Sequence, residues 1–154
     1  MKRKTLFKLV PIIAMCLFAY NFTFLSVRGC SMEPTYRNGD FLIARRIRDI
    51  SMLPTDNPAC WIIDEDGGNC IKRLVGYPGD KVELISGDTY VNGNLVINRI
   101  EGYENEAYYK FILHSDEYLF LGDNRADPYD ARYWHTPTLP FANIKGVVIG
   151  GGLI

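Results

Sequence analysis

The feature that most constrains this chain is an uncharged, largely apolar run over residues 9–27. The basic cluster Met1-Lys2-Arg3-Lys4 precedes that run, and a long segment follows it. Its length is close to the roughly 20 residues that a helix needs to cross a bilayer. Basic residues on the first side predict that the N-terminus stays inside. We therefore expect residues 1–27 to form a single-pass membrane anchor and residues 28–154 to form a domain outside.

Three other interpretations of the run stay open. A cleaved secretory signal lacks a small-x-small cleavage site before Arg28. A lipid attached to Cys30 is suggested by the Gly29-Cys30 pair, but Arg28 lies unfavourably close. A buried core helix fits poorly with the charges on both flanks. The uncleaved anchor agrees best with the sequence.

Composition narrows the function classes. The formal net charge of −1 argues against nucleic acid as a partner. Hydrophobic residues make up 47% of the chain and include 10 Tyr and 8 Phe, which favours a β-rich domain. No paired C-x-x-C spacing is present, so we expect no zinc site and no cofactor.

Short alternating runs separated by turn residues predict the strands. The Asn92-Gly93 pair between two such runs predicts a hairpin, because a type I′ turn needs positive φ at both central positions. The predicted strands cover residues 41–44, 60–64, 70–75, 81–85, 89–91, 95–97, 117–121 and 144–149. The predicted fold is mainly β: a coiled antiparallel sheet or barrel that follows one N-terminal transmembrane helix.

Two cysteines flank a turn-rich stretch between predicted strands. Cys60 and Cys70 enclose Asp64-Glu65-Asp66-Gly67-Gly68-Asn69. In an oxidising compartment these two would be the natural disulfide partners. Two buried, reduced thiols are the alternative.

One serine and one lysine carry the candidate chemistry. Ser31 opens Ser31-Met32-Glu33-Pro34-Thr35 just after the apolar run, where Met32 can supply apolar packing. Lys72 lies in an apolar strand, and alternation places it on the face of Cys70 and Leu74. A buried lysine can lose its proton and serve as a base for a serine hydroxyl. Read alone, Lys72 also fits a lysine whose amine reaches the surface.

The other polar residues are ambiguous by themselves. The segment Gly122-Asp123-Asn124-Arg125 is typical of a turn, and Asp130 with Arg132 is typical of a surface ion pair. His114 and His135 lie in polar, turn-like surroundings without a nucleophile-elbow pattern nearby. We therefore assign no catalytic role to either histidine.

Taken together, three blocks resemble the type I signal peptidases, a membrane-anchored Ser/Lys family. The blocks are residues 30–40, 71–80 and 121–134, in the order of that family and near its spacing. They cover about a quarter of the chain. Each block alone is weakly specific, but their combination is highly specific.

The resemblance implies a β-rich catalytic domain on the outer face of a bacterial-type plasma membrane. It implies that Ser31 is the nucleophile and Lys72 the general base. Arg73 would pair with Asp123, and Asp130 with Arg132, to brace the wall behind the dyad. The implied substrates are exported precursor proteins with small residues at −1 and −3, and the bilayer is the other implied partner.

This chain departs from the family pattern at several places. Gly29 replaces a hydroxyl residue that often contributes to the oxyanion hole, and Pro128 replaces one that often contacts the lysine. Residues 56–61 replace the usual Arg-Gly-Asp-aliphatic strand, and the region 98–115 is short. These departures suggest a specialised member, such as one that matures a pilin-like or conjugation-system protein.

Two further function classes remain as alternatives. One is a self-cleaving Ser/Lys regulator, which would need a cleavable segment and usually a DNA-binding module. The other is a catalytically inactive, membrane-tethered β module that binds a partner protein. Gly29 and Pro128, which offer no hydroxyl, lend this last alternative some support.

Overall fold

The computed structural model describes residues 2–98, 107–126 and 129–152, and the mainly β prediction is confirmed. The described part contains one α-helix and eleven strands. Their bounds are α1 Lys2–Asn21, β1 Phe22–Ser26, β2 Phe41–Arg46, β3 Ala59–Ile63, β4 Asn69–Gly76, β5 Lys81–Ile85, β6 Asp88–Val91, β7 Asn94–Ile97, β8 Tyr108–Ile112, β9 Tyr118–Leu121, β10 Thr138–Leu139 and β11 Ile144–Gly151.

The strands form two antiparallel sheets. The larger sheet has seven strands in the order β1-β2-β11-β3-β4-β9-β10, and the smaller has four in the order β7-β6-β5-β8. Within the described residues neither sheet closes on itself, so the barrel alternative is wrong. The larger sheet stays open because its two edge strands do not pair with each other. Among the described residues, β1 pairs with β2 alone, and the two-residue strand β10 pairs with β9.

The N-terminal run is not one continuous helix. α1 ends at Asn21, and Phe22–Ser26 turns into strand β1, which pairs with Phe41–Arg45 of β2. The last part of the run that we assigned to the anchor, Phe22–Ser26, is therefore a strand of the larger sheet. Across the described segments, no helix combines the length and apolarity required to span a bilayer. The division of the chain at residue 27 stays a prediction.

Most predicted strands are present with small shifts at their ends. The hairpin of β6 and β7 turns at Asn92 and Gly93, whose φ angles are 52° and 82°. The hairpin of β3 and β4 is also confirmed. Strands β8 and β10 were not predicted, because residues 98–115 and 122–140 show no clean alternation.

The hydrophobic core lies between the two sheets. Leu74 of β4, Leu119 of β9 and Val82 of β5 are all fully buried there. A polar contact adds to this packing, since Arg125 donates from Nη2 to Thr89 Oγ1 on β6 at 2.9 Å. Both residues are at least 97% buried, as their exposed fractions are 3% and 0%. The segment after β9 is thus fastened to the smaller sheet.

The predicted Cys60–Cys70 disulfide is absent, because both residues are free thiols. In the β3–β4 ladder Cys60 lies opposite Lys72, whereas Cys70 lies opposite Ile62. The two cysteines are therefore diagonal neighbours two positions apart. Such diagonal positions are about 7–8 Å apart, beyond the usual Cα separation of a disulfide.

We expect Cys60 and Cys70 to resist alkylation in the folded protein. Burial raises the pKa of each thiol from 9.0 to about 12, so the reactive thiolate is scarce at pH 8. Iodoacetamide followed by peptide mass spectrometry should label the exposed Cys16 and Cys30 first, and Cys60 and Cys70 only after unfolding. Because the folded state holds both protons more tightly, these thiols favour folding below pH 9, and their contribution is lost as the pH rises towards 12.

Rapid labelling of Cys60 in the native protein at pH 8 would contradict this expectation. A mass two hydrogens lower than the reduced chain, with Cys60 and Cys70 joined, would contradict the free-thiol assignment.

Candidate active site

Ser31 lies in the loop that connects β1 to β2. Two backbone hydrogen bonds close the base of this loop. Val27 N–H donates to Asp40 O at 2.9 Å, and Gly39 N–H donates to Val27 O at 3.0 Å. Within the loop, Tyr36 N–H donates to Met32 O at 2.9 Å, and the Met32 side chain is only 2% exposed. The buried methionine anchors the turn beside a half-buried Ser31.

Lys72 is buried in the middle of β4, with 1% of its surface exposed. Its backbone pairs directly with Cys60 of β3. Since successive side chains alternate between faces, Lys72 shares the inner face with Cys70 and Leu74, while Arg73 takes the outer face. Lys72 therefore lies on the buried face of β4, and its role as a base stays a prediction.

The aromatic ring of Tyr129 covers the end of the Lys72 side chain. Lys72 Nζ lies 5.8 Å from the centre of that ring. Cys70 lies two residues before Lys72 on the same face of β4, and a positive charge on Lys72 would lower the pKa of that thiol against the larger raising effect of burial. The negative charge of Asp64, aided by a hydrogen bond to Asp66, raises the pKa of Tyr129. The tyrosine therefore stays a neutral phenol beside Lys72.

The third sequence block binds the serine loop through its backbone. Asn124 donates twice, from its N–H to Ser31 O at 3.0 Å and from Nδ2 to Cys30 O at 3.1 Å. Gly122 packs so closely here that a Cβ at this position would lie 2.6 Å from Ser31 O. Only glycine leaves enough room for the two segments to approach.

The same block binds the lysine strand. Strand β9 pairs with β4, and Arg73 lies opposite Leu121. One residue past Gly122, Asp123 accepts from Arg73 Nε and Nη2, both at 2.6 Å. This bidentate bond raises the pKa of Arg73. Segments around Ser31 and Lys72 are thus fastened to one short piece of chain.

The second predicted ion pair is buried more deeply. Arg132 donates to Asp130 from Nε at 2.8 Å and from Nη2 at 3.0 Å, with side chains 1% and 0% exposed. Asp130 Oδ2 also accepts the Gly122 N–H at 2.9 Å. Both ion pairs are present as expected, and their role in bracing the dyad remains a prediction.

A groove of about 190 Å³ opens beside Ser31. The segment before the serine forms one wall, and β3 with the start of β4 forms the other. Its lining residues are Leu25, Ser26, Val27, Arg28, Ser31, Met32, Trp61, Asn69, Cys70 and Ile71.

Sequence reasoning missed several polar residues that shape this region. Glu65 accepts the backbone N–H groups of His135 and Thr136 at 2.7 and 2.6 Å, which joins the β3–β4 turn to the segment after Arg132. Asn38 accepts the N–H of Gly29 at 3.0 Å. The local sequence around a carboxylate or amide in a turn does not show which distant group it binds. Of the polar residues that join segments here, only Asn124 lies within one of the three family-like blocks.

The two histidines lie on the surface. His114 and His135 are exposed, and His114 Nδ1 lies 3.0 Å from Glu117 in a surface contact. No cluster of metal-ligating side chains occurs among the residues that the structure describes. Pro128 lies outside the described residues.

The two ion pairs should differ in their contributions to stability. Asp130→Asn leaves a fully buried Arg132 without its counter-charge, which should cost about 3–5 kcal/mol. Asp123→Asn disrupts a pair whose side chains are 21% and 11% exposed, so its cost should be smaller, about 1–2 kcal/mol. Urea unfolding of both variants measures the difference. Equal losses would contradict the burial-dependent ranking.

Sequence comparisons with known proteins identify the family of this chain. The family model described as "Signal peptidase, peptidase S26" matches residues 3–150. The chain is 37% identical to the probable signal peptidase I-2 of Synechocystis sp. over 116 residues, which is 70% of this chain and 53% of that protein. It is 27% identical to signal peptidase I of Pseudomonas aeruginosa over 154 residues, 71% of this chain and 54% of that protein.

A Bacillus relative is covered more fully. Signal peptidase I P of Bacillus subtilis subsp. natto is 27% identical over 138 residues, 80% of this chain and 74% of that protein. The chain thus spans about half the length of the Synechocystis and Pseudomonas relatives. With nearly all of its residues matched by the family model, the chain belongs to the signal peptidase, peptidase S26 family.

Proposed function

We propose that this chain is a serine endopeptidase that removes signal peptides from exported precursor proteins. Ser31 is the nucleophile and Lys72 is the general base. The specialised subclass suggested by the sequence departures, such as pilin or conjugation-protein processing, stays a prediction within this proposal.

One observation carries the proposal: residues 121–124 hold both the serine loop and the lysine strand. Asn124 binds the carbonyl groups of Cys30 and Ser31, and β9 pairs with β4 next to Lys72. A dyad needs its two members held in a fixed relation, because misplacement of reacting groups is costly in rate. A purely structural sheet has no need to bury a lysine amine at this junction.

Burial of Lys72 favours its neutral amine, which is the form that can act as a base. Holding a lysine neutral at pH 7 costs about 4.6 kcal/mol relative to its ordinary pKa of about 10.4. Removal of an amine from water disfavours its charged form by up to several pKa units. Lys72, which is 1% exposed on an apolar face, meets this condition.

In the first half of the reaction, the neutral Lys72 amine takes the proton of the Ser31 hydroxyl. The Ser31 oxygen attacks the carbonyl carbon of the residue at −1, and an oxyanion forms. The Ser31 backbone N–H is the donor that we assign to that oxyanion, an interaction worth about 3–4 kcal/mol in comparable sites. Lys72 then returns the proton to the leaving amine, and the peptide bond breaks.

In the second half, water hydrolyses the acyl-enzyme. Lys72 accepts a proton from that water, the hydroxide attacks the ester, and the proton passes back to Ser31 Oγ. The signal peptide leaves with its new carboxylate. The enzyme recovers its starting protonation, so no cofactor is needed.

The proposal includes contact with a bilayer on the outer side of the plasma membrane. Large apolar side chains of α1 and of the outer face of β1 and β2 are exposed, including Phe24 at 66% and Phe41 at 72%. Phe18 of α1 stacks on Phe22 of β1 with ring centres 4.9 Å apart, so the two surfaces adjoin. Contiguous apolar surface of this kind marks membrane or protein contacts. The serine loop begins directly after β1, which would place Ser31 near the lipid surface.

Ser31→Ala and Lys72→Met should each lower precursor cleavage by about 10⁴-fold or more, because each removes one member of a unit that acts together. Methionine preserves the apolar volume of the buried Lys72 stem. The rate is measured on the full chain in detergent with a panel of exported precursors and synthetic peptides. The matched control is Lys81→Met, at a lysine whose side chain is 45% exposed and pairs with Glu83.

Full activity in Lys72→Met would remove the proposed base. A protein whose Ser31 is not labelled by serine-reactive probes, and which cleaves no precursor, would instead be the inactive binding module. Self-shortening at a rate independent of protein concentration would identify the self-cleaving regulator.

The double change Phe24→Ser with Phe41→Ser should lower cleavage severalfold in phospholipid vesicles and leave cleavage in detergent unchanged. Each exposed phenylalanine that enters lipid contributes about 1.5–3 kcal/mol to that contact. Ile112→Ser, at a residue of the smaller sheet that is 61% exposed, is the control. An equal loss in both media would indicate damage to the fold and argue against the bilayer contact.

A further inference from the structure

A basic cavity of about 640 Å³ lies between the end of α1 and the neighbouring ends of β2 and β11. Its lining includes Arg46 and Arg48 from the end of β2 and the turn after it, and Lys145 from β11. Arg46 lies opposite Gly146 in the β2–β11 ladder. Next to that pair, Ile47 N–H donates to Lys145 O at 3.1 Å, so strand pairing brings the three cations to one place. The catalytic proposal gives this basic cavity no role.

The basic cavity carries an unbalanced positive charge. Its described lining contains neither Asp nor Glu, and none of Arg46, Arg48 and Lys145 forms an ion pair with another described residue. Asp49 follows Arg48 in the sequence, but its carboxylate accepts hydrogen bonds from Ser51 instead. Like charges that lie close together repel one another, so an anion that enters the basic cavity is attracted by all three.

Existing contacts leave two of the three cations available to an anion. Arg48 donates from Nη2 to Tyr20 O, and its guanidinium carbon lies 3.8 Å from the centre of the Tyr20 ring. That contact offsets the partial negative charge at the end of α1. Lys145 Nζ donates to one backbone carbonyl at 2.7 Å, which uses one of the three donors of an ammonium group. Arg46 stacks over the Trp61 ring at 5.4 Å, and stacking leaves the edge of its guanidinium free to donate.

The basic cavity adjoins the surface that we propose to contact lipid. Helix α1 exposes large apolar side chains between Leu9 and Phe18, and the next two residues, Ala19 and Tyr20, line the basic cavity. Trp61 lines it as well. Tyr and Trp suit the boundary between lipid and water, because each ring is apolar and carries one polar group. The change from apolar to basic surface at the end of α1 therefore lies at the level where lipid headgroups would be.

We propose that the basic cavity binds the phosphate group of an anionic phospholipid, with Arg46 and Lys145 as the residues that donate to the phosphate. Its volume falls within the range of about 300–1,000 Å³ that is typical of ligand cavities. Guanidinium and ammonium groups bind phosphate strongly, because their hydrogen bonds to it are assisted by charge. The inference rests on the proposed bilayer contact for its source of lipid, and it adds a defined headgroup site to that contact.

The test titrates the full chain in an uncharged detergent with a short-chain phosphatidylglycerol. Fluorescence should change and saturate, because Trp61 lines the basic cavity, whereas the other tryptophan, Trp134, is buried elsewhere. A short-chain phosphatidylcholine, in which choline cancels the phosphate charge, should bind more weakly by about tenfold or more. Equal binding of the two lipids would overturn the inference. Inorganic phosphate that binds as tightly as phosphatidylglycerol would identify a site for a free anion and overturn the lipid assignment.

Arg46→Gln combined with Lys145→Gln should weaken phosphatidylglycerol binding by about tenfold or more, because both donors to the phosphate lose their charge. Cleavage in lipid-free detergent should not change, since neither residue lines the groove beside Ser31. Lys81→Gln combined with Lys110→Gln is the matched control, because it removes the same charge from the smaller sheet. Unchanged binding in the first double variant, or equal losses in both, would contradict the proposed site.

Two further outcomes separate the headgroup site from folding and from the proposed function. If the first double variant does not fold, as judged by circular dichroism, Lys145→Gln alone decides, and unchanged binding in that variant overturns the inference. Saturable lipid binding by a chain that cleaves no precursor would refute the proposed peptidase and support the headgroup site. Cleavage that depends on Ser31, without lipid binding, would refute the headgroup site alone.

Discussion

Burial of the Lys72 amine is the constraint on which the rest of this structure depends. Water stabilises an ammonium group strongly, so a chain that buries one must recover the cost through packing and through contacts around it. In this fold, the antiparallel pairing of β4 with β3 and β9 fixes the lysine backbone on both sides. The side chain then points into the core, where Leu74 and Cys60 are fully buried.

Residues 121–126 and 129–132 join the strand of that buried lysine to the serine loop. Gly122 and Asn124 hold the serine loop, Asp123 holds the outer face of β4, and the Asp130–Arg132 pair fixes the segment itself. Buried ion pairs of this kind add little net stability, because desolvation offsets their attraction. Their directional bonds specify one geometry, which the proposed pair of Ser31 and Lys72 would require.

Patterns of neighbouring residues predicted those strands and turns that depend mainly on local sequence. Alternation located β2 to β7, β9 and β11, and the Asn92-Gly93 turn defined one hairpin correctly. The same reasoning extended the N-terminal helix through residues 22–26, because a short uncharged run with three apolar residues looks alike in a helix and in a strand. It also predicted a disulfide from proximity in sequence, although the β3–β4 register sets the two cysteines two positions apart.

By itself, the sequence determined the candidate residues Ser31 and Lys72, the family, and the face of β4 on which the lysine lies. These follow from residue type, spacing and the two-residue period of a strand, all of which are local. Only the tertiary structure decided that two open sheets form instead of a barrel, that Asn124 and Glu65 join distant segments, and that Trp61 lines the groove. Those facts depend on which strands become neighbours, and pairing between distant strands is set by the packing of the whole chain.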